Sequence, residues 1–89
     1  MASYRIEWKR SAAKELKRLE REIVPKIVRT VERLASNPLP RGSRKLRGSE
    51  HTYRIRLGNY RIIYSVWSEV LIIEVIRVGH RKEIYRGLD

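Results

Sequence analysis

The sequence has 89 residues and no cysteine. Disulfide bonds and thiolate metal sites are therefore excluded, and the absence fits a reducing compartment. Two scattered histidines and no paired-carboxylate motif do not make a metal site, so we expect no metal and no other cofactor. A glycine-rich phosphate loop of the GxxxxGK type and a nucleophilic serine elbow are also missing. An enzyme of this sequence would take its nucleophile from the substrate.

Long hydrophobic stretches are absent as well. The longest mostly apolar run, Val70–Ile76, contains Glu74 and is far too short to span a bilayer. No apolar stretch follows the charges at the N-terminus, so a signal peptide is not expected. The sequence predicts a soluble cytoplasmic protein without a membrane partner, folded as a single domain over residues 1–89.

Acidic residues are few. Ten Asp and Glu stand against 21 Lys and Arg, which gives a formal net charge of +11. A field of this sign attracts polyanions, so we expect nucleic acid or an acidic protein as the partner. The alternative is a generically basic surface with no specific partner.

The first half of the chain predicts one strand and two helices. Residues 3–8 alternate apolar and polar side chains, as a half-buried strand does. Ser11 is suited to cap a helix whose apolar stripe runs from Ala12 to Ile23. Pro25 interrupts that helix and is suited to open a second one, which stops at Asn37-Pro38.

The second half predicts a basic loop over residues 38–52 and then three strands. The strands are Tyr53–Leu57, Tyr60–Trp67 and Val70–Val78, joined by short turns, and Gly79 ends the last one before a polar tail. The order β-α-α-β-β-β predicts an α+β fold, with a two-helix hairpin packed on one face of a mainly antiparallel four-stranded sheet. The other face is free to carry function.

Arginines concentrate on the predicted hairpin. Arg54 and Arg56 share a face because strand side chains alternate, and Arg61 lies near them on the next strand. Like charges side by side destabilise a sheet, and a bound phosphate backbone would offset that cost. A merely solvated face would mix Lys and Glu, yet residues 41–61 contain a single acid, Glu50.

The tail supplies further candidates. Arg81 and Tyr85 can fold back over the sheet, where Tyr85 would stack on an RNA base, donate a proton, or simply pack on the sheet edge. His80 is a candidate proton carrier or a structural histidine. His51 follows Glu50 in the loop and is a weaker candidate, because neighbours in a loop need not converge.

Two segments carry a family resemblance. KLRGSEHTYRIRLGNYRIIYSV, residues 45–66, and VIRVGHRKEIYR, residues 75–86, resemble the RelE toxins, and the first strand and helix pair extend the resemblance over nearly the whole chain. It implies a RelE-like fold and a metal-independent, ribosome-dependent endoribonuclease that cuts mRNA in the A site. The 2′-oxygen would attack the adjacent phosphate, leaving a 2′,3′-cyclic phosphate and a 5′-hydroxyl. It also implies a cognate acidic antitoxin, and operator DNA bound only through the toxin–antitoxin complex.

The resemblance also implies roles for individual residues. The catalytic residues would be Arg54, Arg56, Arg61, Arg81 and Tyr85, and substrate would be bound by Lys45, Arg47 and His80. Some family members carry lysine where Arg54 and Arg56 stand, and a desolvated lysine can act as a base. Arginine keeps its proton, so we expect electrostatic stabilisation from the arginines. The protons would be moved by Tyr85, His80 or a ribosomal group.

Two other functions compete with this one. A ParE-like toxin would share the fold and inhibit DNA gyrase by binding, without arginines arranged at a phosphate. A non-catalytic module would bind nucleic acid or antitoxin with steep salt dependence and leave mRNA intact.

Overall fold

The computed structural model describes residues 3–84. Eight elements follow one another along the chain: β1 (Arg5–Trp8), α1 (Arg10–Lys17), α2 (Val24–Arg33), β2 (Arg44–Lys45), β3 (Thr52–Leu57), β4 (Tyr60–Trp67), β5 (Ile72–His80) and α3 (Arg81–Ile84). The α+β class is confirmed, as is the packing of a helix pair against the sheet. Tyr85 lies outside the described residues.

The helix pair is shorter than its apolar stripe suggests. Ser11 was the wrong N-cap, because α1 already begins at Arg10 and no side chain caps it. It ends at Lys17, yet Leu19 and Ile23 still pack on the core from the connecting turns. Pro25 lies in the first turn of α2, where its missing N–H costs nothing. In the described part of the chain, no helix has the length and apolar character needed to cross a membrane.

The sheet has five strands in the order β1-β5-β4-β3-β2. The expected four strands are present, and the fifth is the two-residue β2, which pairs antiparallel with β3. Strands β3, β4 and β5 form the predicted antiparallel meander. Strand β1 runs parallel to β5, which is possible because two helices intervene between β1 and the meander.

One face of the sheet packs on the helices, and we call it the helix face. Its core joins Ile55, Ile62 and Val75 to Ile27 and Val31 of α2. The side chains of Tyr4, Ile6 and Trp8 pack on the same core, as the alternation of β1 predicts. We call the opposite side of the sheet the open face.

The end of the meander differs from the prediction. The last strand spans Ile72–His80 and not Val70–Val78 as predicted. A wider turn intervenes, and Leu71 within it has a φ of +55°. Gly79 lies inside the strand and does not end it. The described start of the predicted polar tail, Arg81–Ile84, forms a short helix, and Ile84 is buried.

Tyr64 of β4 links the core to the loop and carries a pH prediction. Its hydroxyl donates to the Pro38 carbonyl oxygen at 2.8 Å, and burial raises the pKa of Tyr64 to about 12. The folded state therefore favours the neutral phenol, so this stability is fully present below about pH 10 and is lost as pH rises towards 12. We expect the free energy of unfolding to fall by about 2–3 kcal/mol over that window.

Urea denaturation at pH 9, 10, 11 and 12 measures this loss. Tyr64→Phe is the control, because it cannot ionise at this position. A variant with the same slope as the parent protein would contradict the assignment to Tyr64.

Candidate active site

Four arginine side chains project from the open face on three neighbouring strands. The register places Arg44 of β2 opposite Arg54 of β3, and Arg56 of β3 opposite Arg61 of β4. Opposite residues share a face, and so do residues two apart in a strand, so all four side chains leave the sheet on one side. We call this set the arginine row. It includes three predicted site residues, and Arg44 joins them.

Arg61 is the most constrained member of the row. It is 8% exposed, and its Nη1 donates to the carbonyl oxygens of Gly58 at 3.0 Å and Tyr60 at 2.9 Å. The side chain is buried because the guanidinium folds back against the β3–β4 turn. The turn carbonyls thus fix the guanidinium in place.

The surroundings of Arg61 leave one of its hydrogen-bond donors and its positive charge without a partner within residues 3–84. Its Nε is buried without a hydrogen-bond partner, and no carboxylate within residues 3–84 lies at ion-pair distance from it. Arg56, which stands opposite, has the same charge. A buried donor without a partner is costly, and the guanidinium keeps a positive charge that an anionic ligand beside it would stabilise.

Acidic side chains occupy the other half of the open face. Glu7 of β1 lies opposite Glu74 of β5, which in turn lies opposite Ser65 of β4. Glu7 is paired with Arg5 at 2.7 Å. The open face is therefore divided: arginines dominate over β2–β4, whereas over β1 and β5 the acids Glu7 and Glu74 stand among Arg5 and Arg77.

The C-terminal helix α3 lies over the open face beside the arginine row. The backbone N–H of Arg81 donates to the Asn59 carbonyl oxygen at 2.8 Å, so α3 begins next to the β3–β4 turn. Ile84 lies over Gly79, where a Cβ would be 3.5 Å from its Cδ1. The Arg81 side chain is exposed at this end of the sheet.

Arg77 ties α3 to α1. Its Nη1 donates to the Ile84 carbonyl oxygen at 2.8 Å, and its Nη2 and Nε donate to Oε2 of Glu15 at 3.0 and 3.3 Å. The other oxygen of Glu15 accepts the backbone N–H of Val78 at 3.2 Å. The carbonyl immediately before Tyr85 is therefore anchored by an ion pair.

Loss of this ion pair should destabilise the protein. Glu15→Ala removes the carboxylate that pairs with Arg77 and accepts from the Val78 N–H, and we expect about 1–3 kcal/mol less stability in urea denaturation. Glu7→Ala is the matched control, because it removes the exposed pair with Arg5 and should cost less than about 0.5 kcal/mol. Equal losses in the two variants would contradict this assignment.

Two predicted substrate-binding residues do not join the arginine row. Lys45 lies opposite Tyr53, and His80 lies opposite Tyr60, and both positions belong to the helix face. His80 Nδ1 accepts the backbone N–H of Lys82 at 3.2 Å, which is a structural role at the start of α3. Arg47 lies in the turn before β3 and lines a cavity on the open face.

Sequence reasoning missed several residues of the site region. Arg44 belongs to the predicted basic loop, and a strand of two residues is too short to show an alternating pattern in the sequence. Thr52 and Ser65 were passed over because a contact between hydroxyl groups on two neighbouring strands has no signature in a single sequence.

Within residues 3–84, no group of three His, Asp or Glu side chains could hold a metal ion.

The chain was compared with known families and proteins. The family model described as "ParE toxin of type II toxin-antitoxin system, parDE" matches residues 6–85. Toxin RelG of Mycobacterium tuberculosis is 30% identical over 84 residues, which cover 93% of this chain and 97% of that protein.

Solved structures agree in fold. RelE in the archaeal RelE–RelB complex from Pyrococcus horikoshii OT3 superposes with a TM-score of 0.79 at 29% identity, covering 91% of this chain and 98% of that one. The isolated RelE toxin of E. coli superposes with a TM-score of 0.78 at 28% identity, covering 97% and 95%.

Proposed function

This chain belongs to the RelE/ParE superfamily of type II toxin–antitoxin toxins, and on that premise we propose that it is a RelE-type endoribonuclease. Its substrate would be mRNA in the A site of the ribosome. The 2′-oxygen attacks the adjacent phosphorus, the bond from phosphorus to the 5′-oxygen breaks, and the products carry a 2′,3′-cyclic phosphate and a 5′-hydroxyl. No metal ion is required.

The observation that carries this proposal is the pair of Arg56 and Arg61 on the open face. Phosphoryl transfer depends on positioning and on stabilising the negative charge that develops on the phosphate oxygens. Arg61 is held by two carbonyl oxygens and keeps a buried Nε without a partner. Arg56 stands directly opposite, with Arg54 two residues away on the same face. A phosphate between them would receive charge-assisted hydrogen bonds.

The protons need other groups, since guanidinium groups keep theirs. One group must take the proton of the 2′-hydroxyl, and another must give one to the departing 5′-oxygen. His80 is a poor candidate, because it belongs to the helix face and its Nδ1 is occupied by the Lys82 N–H. We assign this work to Tyr85, which directly follows the anchored Ile84, together with ribosomal groups.

We also propose an acidic antitoxin as the partner. The net charge of +11 favours a chain of opposite sign. The relative from Pyrococcus horikoshii was solved with RelB, and a homologous antitoxin would neutralise the arginine row here. Operator DNA would be bound only through that complex.

A cleavage assay on translating ribosomes tests the proposal. Purified chain is added to ribosomes stalled on a defined mRNA, and the products are mapped and their ends analysed. We expect cuts in the A-site codon and cyclic phosphate ends. Intact mRNA under conditions in which a known RelE cuts would refute it.

A ParE-like inhibitor of gyrase is the second candidate, because the matching family model is described as ParE. A gyrase supercoiling assay separates the two functions. Inhibited supercoiling with uncut mRNA would favour the ParE reading. Intact mRNA together with active gyrase would leave a basic binding module, whose affinity for RNA should fall steeply with salt.

A further inference from the structure

A cavity of about 470 Å³ opens on the open face beside the arginine row. Leu46, Ile63 and Ile76 supply its apolar lining, and Thr52 and Ser65 supply hydroxyl groups. Sites for small ligands have this character, with apolar walls, a few placed polar groups and volumes of about 300–1,000 Å³. We call it the hydroxyl cavity.

The two hydroxyls form a hydrogen-bonded pair. Thr52 Oγ1 lies 2.9 Å from Ser65 Oγ, and Ser65 is only 4% exposed. In such a pair one O–H is used by the partner, so one O–H donor and several lone pairs remain. Since both residues line the cavity, these remaining groups are available to a ligand that enters it. The pair can thus donate to one atom of a ligand and accept from another.

The cavity and the arginine row are one strand step apart. Thr52 precedes Arg54 by two residues on the same face of β3, a distance of about 7 Å along the strand. Arg47 contributes a further guanidinium to the lining. A ligand that fits both features carries an anionic group about 7 Å from a flat, hydrogen-bonding ring. A nucleotide has this combination.

We propose that the hydroxyl cavity binds one nucleobase of an RNA whose phosphates lie on the arginine row. This inference rests on the proposed function and adds a site of sequence selection to it. The unstacked base packs against the partly exposed Leu46 and Ile76, and Arg47 covers its other side, as guanidinium planes do in RNA recognition. The pair of Thr52 and Ser65 hydrogen-bonds to the base edge and favours the bases with a donor and acceptor in matching positions.

Methyl NMR tests the site without any need for cleavage. The protein is labelled at Ile and Leu methyl groups and titrated with the four nucleoside monophosphates, with ribose 5-phosphate and with inorganic phosphate. We expect the resonances of Leu46, Ile63 and Ile76 to shift with a subset of the nucleotides. The two ligands without a base should leave them in place.

The double variant Thr52→Val with Ser65→Ala tests the hydroxyl pair. It removes both partners of one hydrogen bond, which is far milder for the fold than removing one of them. We expect about tenfold weaker binding of the preferred nucleotide. Thr30→Val is the matched control, because the Thr30 hydroxyl donates to the Lys26 carbonyl oxygen in the helix layer, away from the cavity. This variant should bind the preferred nucleotide as tightly as the parent protein does.

Methyl resonances that ignore all four nucleotides, or that respond equally to ribose 5-phosphate, would overturn the proposal. So would resonances that move only with an antitoxin peptide, since the cavity would then be a protein-binding site. The outcome is separable from that of the nuclease assay. If the protein cleaves mRNA but the methyl resonances do not respond, only the proposal of a base site is refuted. If the base binds but mRNA stays intact, only the proposal of nuclease activity is refuted.

Discussion

Arg61→Ala should slow cleavage of mRNA on the ribosome by about 10²–10³-fold, the usual cost of removing one positioned group that stabilises transition-state charge. The guanidinium is already fixed by Gly58 and Tyr60, so the parent protein spends little energy on ordering it when substrate arrives. Single-turnover cleavage of a defined mRNA measures the change. Arg61→Lys keeps the charge but loses the planar fork, and we expect it to recover only part of the rate.

The same variant should lose some stability. Removing a buried side chain that bonds two carbonyl oxygens costs about 1–2 kcal/mol, which a domain of this size tolerates. Arg29→Ala on the exposed side of α2 is the matched control for charge and should leave both rate and stability unchanged. Undiminished cleavage by folded Arg61→Ala would remove the arginine row from the mechanism.

Arg56→Thr should have effects of opposite sign on activity and stability. Arg56 is exposed and stands opposite Arg61, and like charges in that relation destabilise a sheet. We expect a gain of about 0.2–1 kcal/mol in unfolding free energy, with the larger value at low salt. Cleavage should fall by about 10²-fold, because a charge at the phosphate is lost.

Arg5→Thr on β1 is the control for this trade-off. It is also an exposed strand arginine, but it is paired with Glu7, so its loss should be neutral or slightly destabilising. Cleavage should be unaffected, because Arg5 lies on the opposite half of the open face. If Arg56→Thr lowers the unfolding free energy as much as Arg5→Thr does, repulsion between the arginines of the row does not destabilise the sheet.

The meander and its arginines could be predicted because local rules determine them. Alternation places Arg54 and Arg56 on one face, and Gly58 and Asn59 make a two-residue turn, with Gly58 at a φ of +60°. Together these fix Arg61 opposite Arg56. The family resemblance over residues 45–66 points to the same residues. The part of the site inside one hairpin was therefore readable from sequence.

Features that depend on contacts between distant segments were not readable. The β5 partner of Ile63 is Arg77 and that of Tyr64 is Val75, so Ile76 is an extra residue. This bulge changes which side chains of β5 reach each face, and no pattern in an apolar strand reveals it. The link between Glu15 and Arg77 spans 62 residues. The same register places His80 on the helix face, which its neighbours in the chain do not reveal.

The division of charge on the open face bears on how an RNA chain arrives. Phosphates are drawn towards the arginine row and much less towards β1 and β5, where Glu7 and Glu74 offset the charges of Arg5 and Arg77, so a nearing strand experiences a torque before it touches the protein. It would settle lengthwise along β3 and not across the sheet towards β1. The docking angle, and with it which nucleotide meets Arg61, would then be chosen during encounter. Raising the ionic strength should blur that choice, because screening shortens the reach of the field to about 8 Å at physiological salt.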